Sequence, residues 1–129
     1  MESHSKHIGQ VPAHLVREAA PRKHGRAWRA EYNIAVWLQV ATEAAGDVSL
    51  RVTYRDGEQT RVHLVDQARA ATHNQRVLLC GVAGLEFSQA IGEMSLTLVS
   101  AQPIRALRLD EVFVQAVDVR ADDGQRLVR

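Results

Sequence analysis

The chain has 129 residues, 46% of them hydrophobic and 24% charged, with a formal net charge of +1. That size fits one domain with a core of its own, and the composition is that of a folded globular protein rather than a disordered one. No run reaches the ~18 consecutive apolar residues of a membrane span, and the near-neutral total argues against a dedicated nucleic-acid binder.

The first residues, MESHSKHIGQ, hold no apolar segment of the kind a signal peptide needs. The expectation is a cytoplasmic protein, or an extracellular one if the chain is an excised domain. Residues 1–30 carry six Lys/Arg against Glu2 and Glu18, a balance of +4; the remaining ten Lys/Arg and thirteen Asp/Glu sum to −3. Pro12, Pro21, Gly9 and Gly25 punctuate this head, and neither helical nor strand periodicity persists there. Residues 1–29 therefore read as an irregular basic arm, with room for one short strand near Leu15-Val16.

From Tyr32 the pattern changes. Tyr32, Ile34, Val36, Leu38 and Val40 alternate with Asn33, Ala35, Trp37, Gln39 and Ala41, the two-residue period of a strand with one core face. Val48, Leu50, Val52 and Tyr54 repeat it against Ser49, Arg51, Thr53 and Arg55. Asp56-Gly57 is a turn signal, here expected as a loop of three to five residues, and Arg61–Val65 returns as the partner strand. Further strands are expected over Arg76–Val82, Met94–Val99 and Leu107–Val114, with Pro103 between the last two. Only Ala68–Ala71 offers a place for a helical turn. Six or seven short strands separated by turns define an all-β chain, an antiparallel β-sandwich over residues 30–119. Residues 120–129 form a charged tail.

Tyr32-Asn-Ile-Ala-Val-Trp37-Leu-Gln, Val48–Gly57, Gln75–Phe87 and Leu107–Val114 follow one another as the strands do in a known group. In this order they resemble the jelly-roll, galactose-binding-domain-like carbohydrate-binding modules attached to xylanases and related glycoside hydrolases. The resemblance implies a jelly-roll-like fold, a noncatalytic accessory role and a poly- or oligosaccharide ligand. Three positions depart from the family: Gln75 or Arg76 stands where it has tryptophan, Glu111 replaces an aspartate, and the opening strand must come from residues 8–29.

Sugars stack on flat aromatic faces ringed by polar groups. Tyr32, Tyr54, Phe87 and Phe113 read as core. Trp37 points the other way, among Asn33, Ala35 and Gln39, and suits a ligand platform, although the family's tryptophan at this place is itself structural. Trp28 is the aromatic most open to solvent by position. Arg51, Arg55, Arg61 and His63 on the wet strand faces complete the candidate ligand-binding set; they form either a cationic patch for an acidic glycan, since guanidinium groups bind carboxylates bidentately, or a merely solvated face. Asp110, beside Glu111, is the candidate ligand for a structural calcium, which needs six to eight oxygens; no other cofactor is indicated. Cys80, the single cysteine, follows Val77-Leu78-Leu79 and reads as a buried, inert thiol.

Enzymatic motifs are missing: there is no Gly-rich phosphate loop, GxSxG or HExxH, and a His63/Asp66/Ser100 triple is what six histidines produce by chance. The expectation is not an enzyme. The alternative to sugar binding is a protein-interaction or assembly domain, using the basic arm on an acidic protein partner or an exposed sheet edge, with self-association through that edge. Neither membrane nor nucleic acid is an expected partner.

Overall fold

In the computed structural model, which describes residues 4–117, the chain is an all-β sandwich of two antiparallel sheets. The expected charged tail, 120–129, lies outside the described residues. The eight strands are β1 (His4–Gln10), β2 (Arg22–His24), β3 (Ala27–Thr42), β4 (Gly46–Asp56), β5 (Gln59–Ala70), β6 (Gln75–Phe87), β7 (Ile91–Ser100) and β8 (Ile104–Ala116), with one short helix, α1 (Ala13–Glu18). The first sheet has the order β1-β7-β4-β5. In the second, β6 pairs with one flank of β3, while β2 and β8 share the other flank end to end.

The two-residue rhythm places the core. On β3, Tyr32, Ile34, Val36, Leu38 and Val40 are buried, and they meet Val48, Leu50, Val52 and Tyr54 of β4 and Met94, Leu96 and Leu98 of β7. β3 starts at Ala27, earlier than its clean alternation indicates, so Trp28 belongs to the strand and not to the arm.

The arm is not irregular. β1 pairs with β7 from His4↔Ser100 to Gln10↔Ser95, mostly ahead of residues 8–29 where the opening strand was expected, and Leu15-Val16 lie in α1 rather than in a strand. Val11 N–H then donates to the Met94 carbonyl at 2.8 Å. After Pro12 the chain makes the six-residue α1, and the Tyr32 hydroxyl donates to the Val16 carbonyl at 2.7 Å. Burial pushes that hydroxyl's pKa up to about 12. Ile8, Val11, Val16 and Ala19 cover the end of the core. Ile8 sits on β1, Val16 on α1, and Val11 and Ala19 in the connections beside them, which is why no single period shows in the sequence. The one place that offered room for a helical turn, Ala68–Ala71, holds none, because β5 continues as strand to Ala70; the helix lies at Ala13–Glu18 instead.

The β4–β5 hairpin is tighter than expected. Asp56 pairs with Gln59, leaving a two-residue loop whose first residue, Gly57, has φ of 63°, the left-handed value that favours glycine at this place. The register that follows sets Arg61 opposite Tyr54 and His63 opposite Val52, so both face the sandwich interior at its margin. Val62 and Leu64 take the outer side, 59% and 49% exposed.

Asp56 explains this inversion. Its side chain is buried and accepts from the backbone N–H groups of Ser88 and Gln89, each at 2.9 Å, and from Arg61 at 2.9 Å. Burial alone would raise the Asp56 carboxyl; the two amides and the guanidinium outweigh it and hold the group below the ordinary carboxylate range. The carboxylate thereby ties the β4–β5 hairpin to the β6–β7 turn.

The two sides of the sandwich close differently. Where β5 meets β6, Cys80 N–H donates to Asp66 at 3.0 Å. A Cβ on Gly81 would stand 2.8 Å from the Val65 carbonyl oxygen, so only glycine lets the strands approach this closely. The opposite side ends on β8, which pairs with β3 alone among the described residues.

The Asp56 latch has a pH signature. Its folded pKa lies below the unfolded value of about 3.9, so its contribution is whole above that value and is lost as pH falls through the folded pKa. Asp56→Ala strands two amides and a partly buried guanidinium and is expected to cost about 2–4 kcal/mol in urea unfolding at pH 7. The gap between variant and wild type should narrow on acidification; a gap independent of pH would remove the carboxylate from the account.

Candidate binding face

The outward residues of the second sheet follow from its register. Across the middle of the face, Cys80, Ala35 and Phe113 stand in one cross-strand row, with Leu78, Trp37 and Glu111 on one side of it and Val82, Asn33 and Gln115 on the other. Cross-strand neighbours lie about 5 Å apart and successive rows about 7 Å apart. Leu78, Cys80, Val82, Ala35 and Phe113 thus form one apolar patch on three strands, bordered by Trp37. Two expectations are corrected here. Phe113 is not core but 46% exposed, because its register partner Ala35 is on the outer face of β3. Cys80 is exposed, not buried; the apolar run Val77–Cys80 serves both faces of β6, Val77 and Leu79 inward and Leu78 and Cys80 outward.

One end of this face carries a polar network around Trp37. The Arg76 guanidinium carbon lies 4.4 Å from the centroid of a Trp37 ring, a cation–π contact. Asn74 donates to Gln39 at 3.0 Å, Gln39 donates to Asp110 at 3.4 Å, and Arg108 donates to Asp110 at 3.1 Å. Arg76 Nε also lies 3.5 Å from the Asp110 carboxylate. Loss of hydration would raise the Asp110 carboxyl; the hydrogen bonds from Arg108 and Gln39 and the charges of both arginines outweigh this and hold it below its ordinary range. The candidate calcium ligand therefore has different partners: two cations flank Asp110, ground that repels a divalent metal. Among the described residues no group of three or more His, Cys, Asp or Glu side chains gathers to hold an ion.

The far end is also charged. His24 Nε2 lies 3.4 Å from Glu86, and Arg29 lies 3.8 Å from Glu31. The face has an oily middle and two charged ends.

The other expected site residues are dispersed. Trp28 pairs with Phe87 and Lys23, on the opposite face of β3 from Trp37, and Lys23 Nζ lies 5.0 Å from the ring centroid. Arg51 and Arg55 stand exposed on the outer side of the first sheet. Arg61 is held by Asp56, and His63 is half-buried opposite Val52. Trp37, Trp28, the Arg51/Arg55 pair and the Arg61/His63 pair occupy four separate places, so no joint sugar site forms from them. What the sequence reading passed over is Leu78, Val82 and Phe113 as surface. The one signal available was the unbroken apolar run in β6, which a strand with a single core face does not need.

A scan against models of known protein families and a search of curated proteins both returned no match. Fold and face together define the class: an all-β sandwich that leaves an apolar, aromatic-bordered sheet surface open to solvent.

The exposure of Cys80 can be checked chemically. One equivalent of thiol is expected to react with a disulfide reagent in the native protein, at a rate within about tenfold of that in denaturant. A thiol that reacts only after unfolding would place the patch inside the molecule.

Proposed function

We propose that the chain is a noncatalytic docking module that holds a polypeptide partner on the outer face of the second sheet. The observation that carries this reading is the apolar patch of Leu78, Cys80, Val82, Ala35 and Phe113 across three strands. Large contiguous apolar patches rimmed by polar groups mark association surfaces, and interfaces favour aromatic residues and arginine with charge kept off the centre. Here the charge sits at the two ends, in Arg76, Arg108 and Asp110 and in Glu86, Arg29 and Glu31. The basic arm is a weaker candidate for the same task, since β1 is already committed to β7.

A photo-crosslinking residue at Leu78 is expected to capture a discrete polypeptide in the cell, and Phe113→Glu or Val82→Glu should abolish the adduct. Arg51→Glu, on the other sheet, should leave it intact. Capture of no polypeptide at all, or equal loss with Arg51→Glu, would sink the reading.

A carbohydrate ligand is the second reading. It is favoured by the family resemblance and by Trp37 standing beside Gln39, Asn74 and Asp110, planar polar groups suited to sugar hydroxyls. Arg76 already covers a Trp37 ring, so a sugar would have to displace it. Affinity electrophoresis on neutral and acidic polysaccharides should then show retardation that Trp37→Ala removes and Trp28→Ala spares. Unchanged mobility on every polysaccharide tested removes this reading.

A further inference from the structure

We infer that two copies of this chain associate through antiparallel pairing of their β8 edges, with the two-fold axis at Leu109. This contact uses the edge of the second sheet and not its face, and so stands independently of what docks on the face.

Among the described residues β8, thirteen residues long, is paired on one side only, in eleven register pairs with β3. It contains neither proline nor lysine, the residues that commonly guard a strand edge. It is also apolar and open on both sides of the sheet: Leu109 and Val112, which share the inward side with Leu38 and Val36, are 39% and 44% exposed, and Phe113 is exposed on the outside. β1, the edge strand of the other sheet, is shorter, polar, irregular between His7 and Gly9, and carries Lys6. β8 is irregular too, skipping Arg105 and Asp110 in its ladder with β3, but of these two edges it is the longer and the more apolar.

The sequence of β8 says which partner fits. β3 skips Asp110, pairing Trp37 with Glu111 and Leu38 with Leu109, so Asp110 is a bulge residue. If a second β8 skips it in the same way, a two-fold axis at Leu109 sets Arg108 opposite the other copy's Glu111. It likewise sets Leu107 opposite Val112 and Ala106 opposite Phe113. Faces agree in every pair: Arg108, Glu111, Ala106 and Phe113 share the outer side of β3's register, and Leu107 and Val112 the inner side. Opposite charges and apolar groups facing across a pair of strands are the contacts that stabilise sheets. Parallel pairing in register would instead set Arg108 beside Arg108 and Glu111 beside Glu111. A two-fold contact of this kind is self-complementary, the commonest form of homo-oligomer, and it would join the two second sheets into one eight-stranded sheet, six strands wide.

The full chain is expected to double its sedimenting mass as its concentration rises through the micromolar range. A residue on the two-fold axis faces its own copy, with Cα atoms about 4.5–5.5 Å apart, within reach of a disulfide. In a Cys80→Ser background, Leu109→Cys should therefore give a covalent dimer on mild oxidation, whereas Val112→Cys, facing Leu107, should not. Glu111→Arg should weaken association about tenfold, and adding Arg108→Glu should restore it; circular dichroism confirms that each variant is folded. A wild-type chain that stays monomeric at every concentration overturns the inference. So does a dimer that crosslinks at Val112 in preference to Leu109, or one indifferent to Glu111→Arg, which would assign the contact to another surface.

Discussion

Everything in this molecule is referred to β3. It is the longest strand, it is paired on both flanks, and its inward residues from Tyr32 to Val40 are almost completely removed from water. Because side chains alternate strictly along a strand, that burial leaves Asn33, Ala35, Trp37 and Gln39 no choice of side. Strands that pair with β3 inherit the division. Leu78, Cys80 and Val82 of β6 and Phe113 of β8 are outside because their register partners are outside, whatever their own preference for water. The apolar face is thus a consequence of core packing carried sideways through two ladders.

The sandwich is asymmetric about this strand. On the β5–β6 side, Asp66 takes the Cys80 amide and Gly81 admits the Val65 carbonyl, so that margin is closed by backbone contact. At the end of the core, α1 and Tyr32 make a cap, and Asp56 draws the β4–β5 hairpin onto the β6–β7 turn. The Tyr32 and Asp56 contacts also satisfy polar groups that burial would otherwise strand. Nothing comparable finishes β8 among the described residues. Its inward residues Leu109 and Val112 stay exposed beside the bulge at Asp110.

How much of this was legible in the sequence depended on how many faces each strand buries. β3, β4 and β7 bury one face, so their alternation declares both the strand and its orientation. β6 and β8 carry apolar residues on both sides, and a period of two then has nothing to distinguish; Cys80 and Phe113 were read inward for that reason. In β5 the alternation of Arg61, Val62, His63 and Leu64 was visible, but the oily pair was assigned to the inside. A short-range fact reversed it: the two-residue turn at Gly57 sets Arg61 beside Tyr54, where the buried Asp56 carboxylate needs a cation. The arm failed to show for a different cause. β1, α1 and β2 are each too short for any period to accumulate, and they are held by contacts to β7 and β3 that are remote in sequence. The dispersed site follows from the same limits, since Trp37, Trp28, Arg51 and Arg61 were grouped by residue type before their faces were known.

Phe113 links the face to the edge. It is the β8 contribution to the apolar patch, and it also lies on the strand whose far side is unpaired among the described residues. A strand added beside β8 would order the backbone that holds Phe113 and extend the sheet on which the patch lies, so edge pairing and face docking would favour one another rather than compete. The Asp110 bulge fits this arrangement. By leaving the ladder, it brings a carboxylate back to Arg108, Arg76 and Gln39, gathering charge at one end of the face beside Trp37. A single irregular residue thereby separates the charged end of the surface from its apolar middle, which is the division that an interface with a dry centre and a polar rim requires.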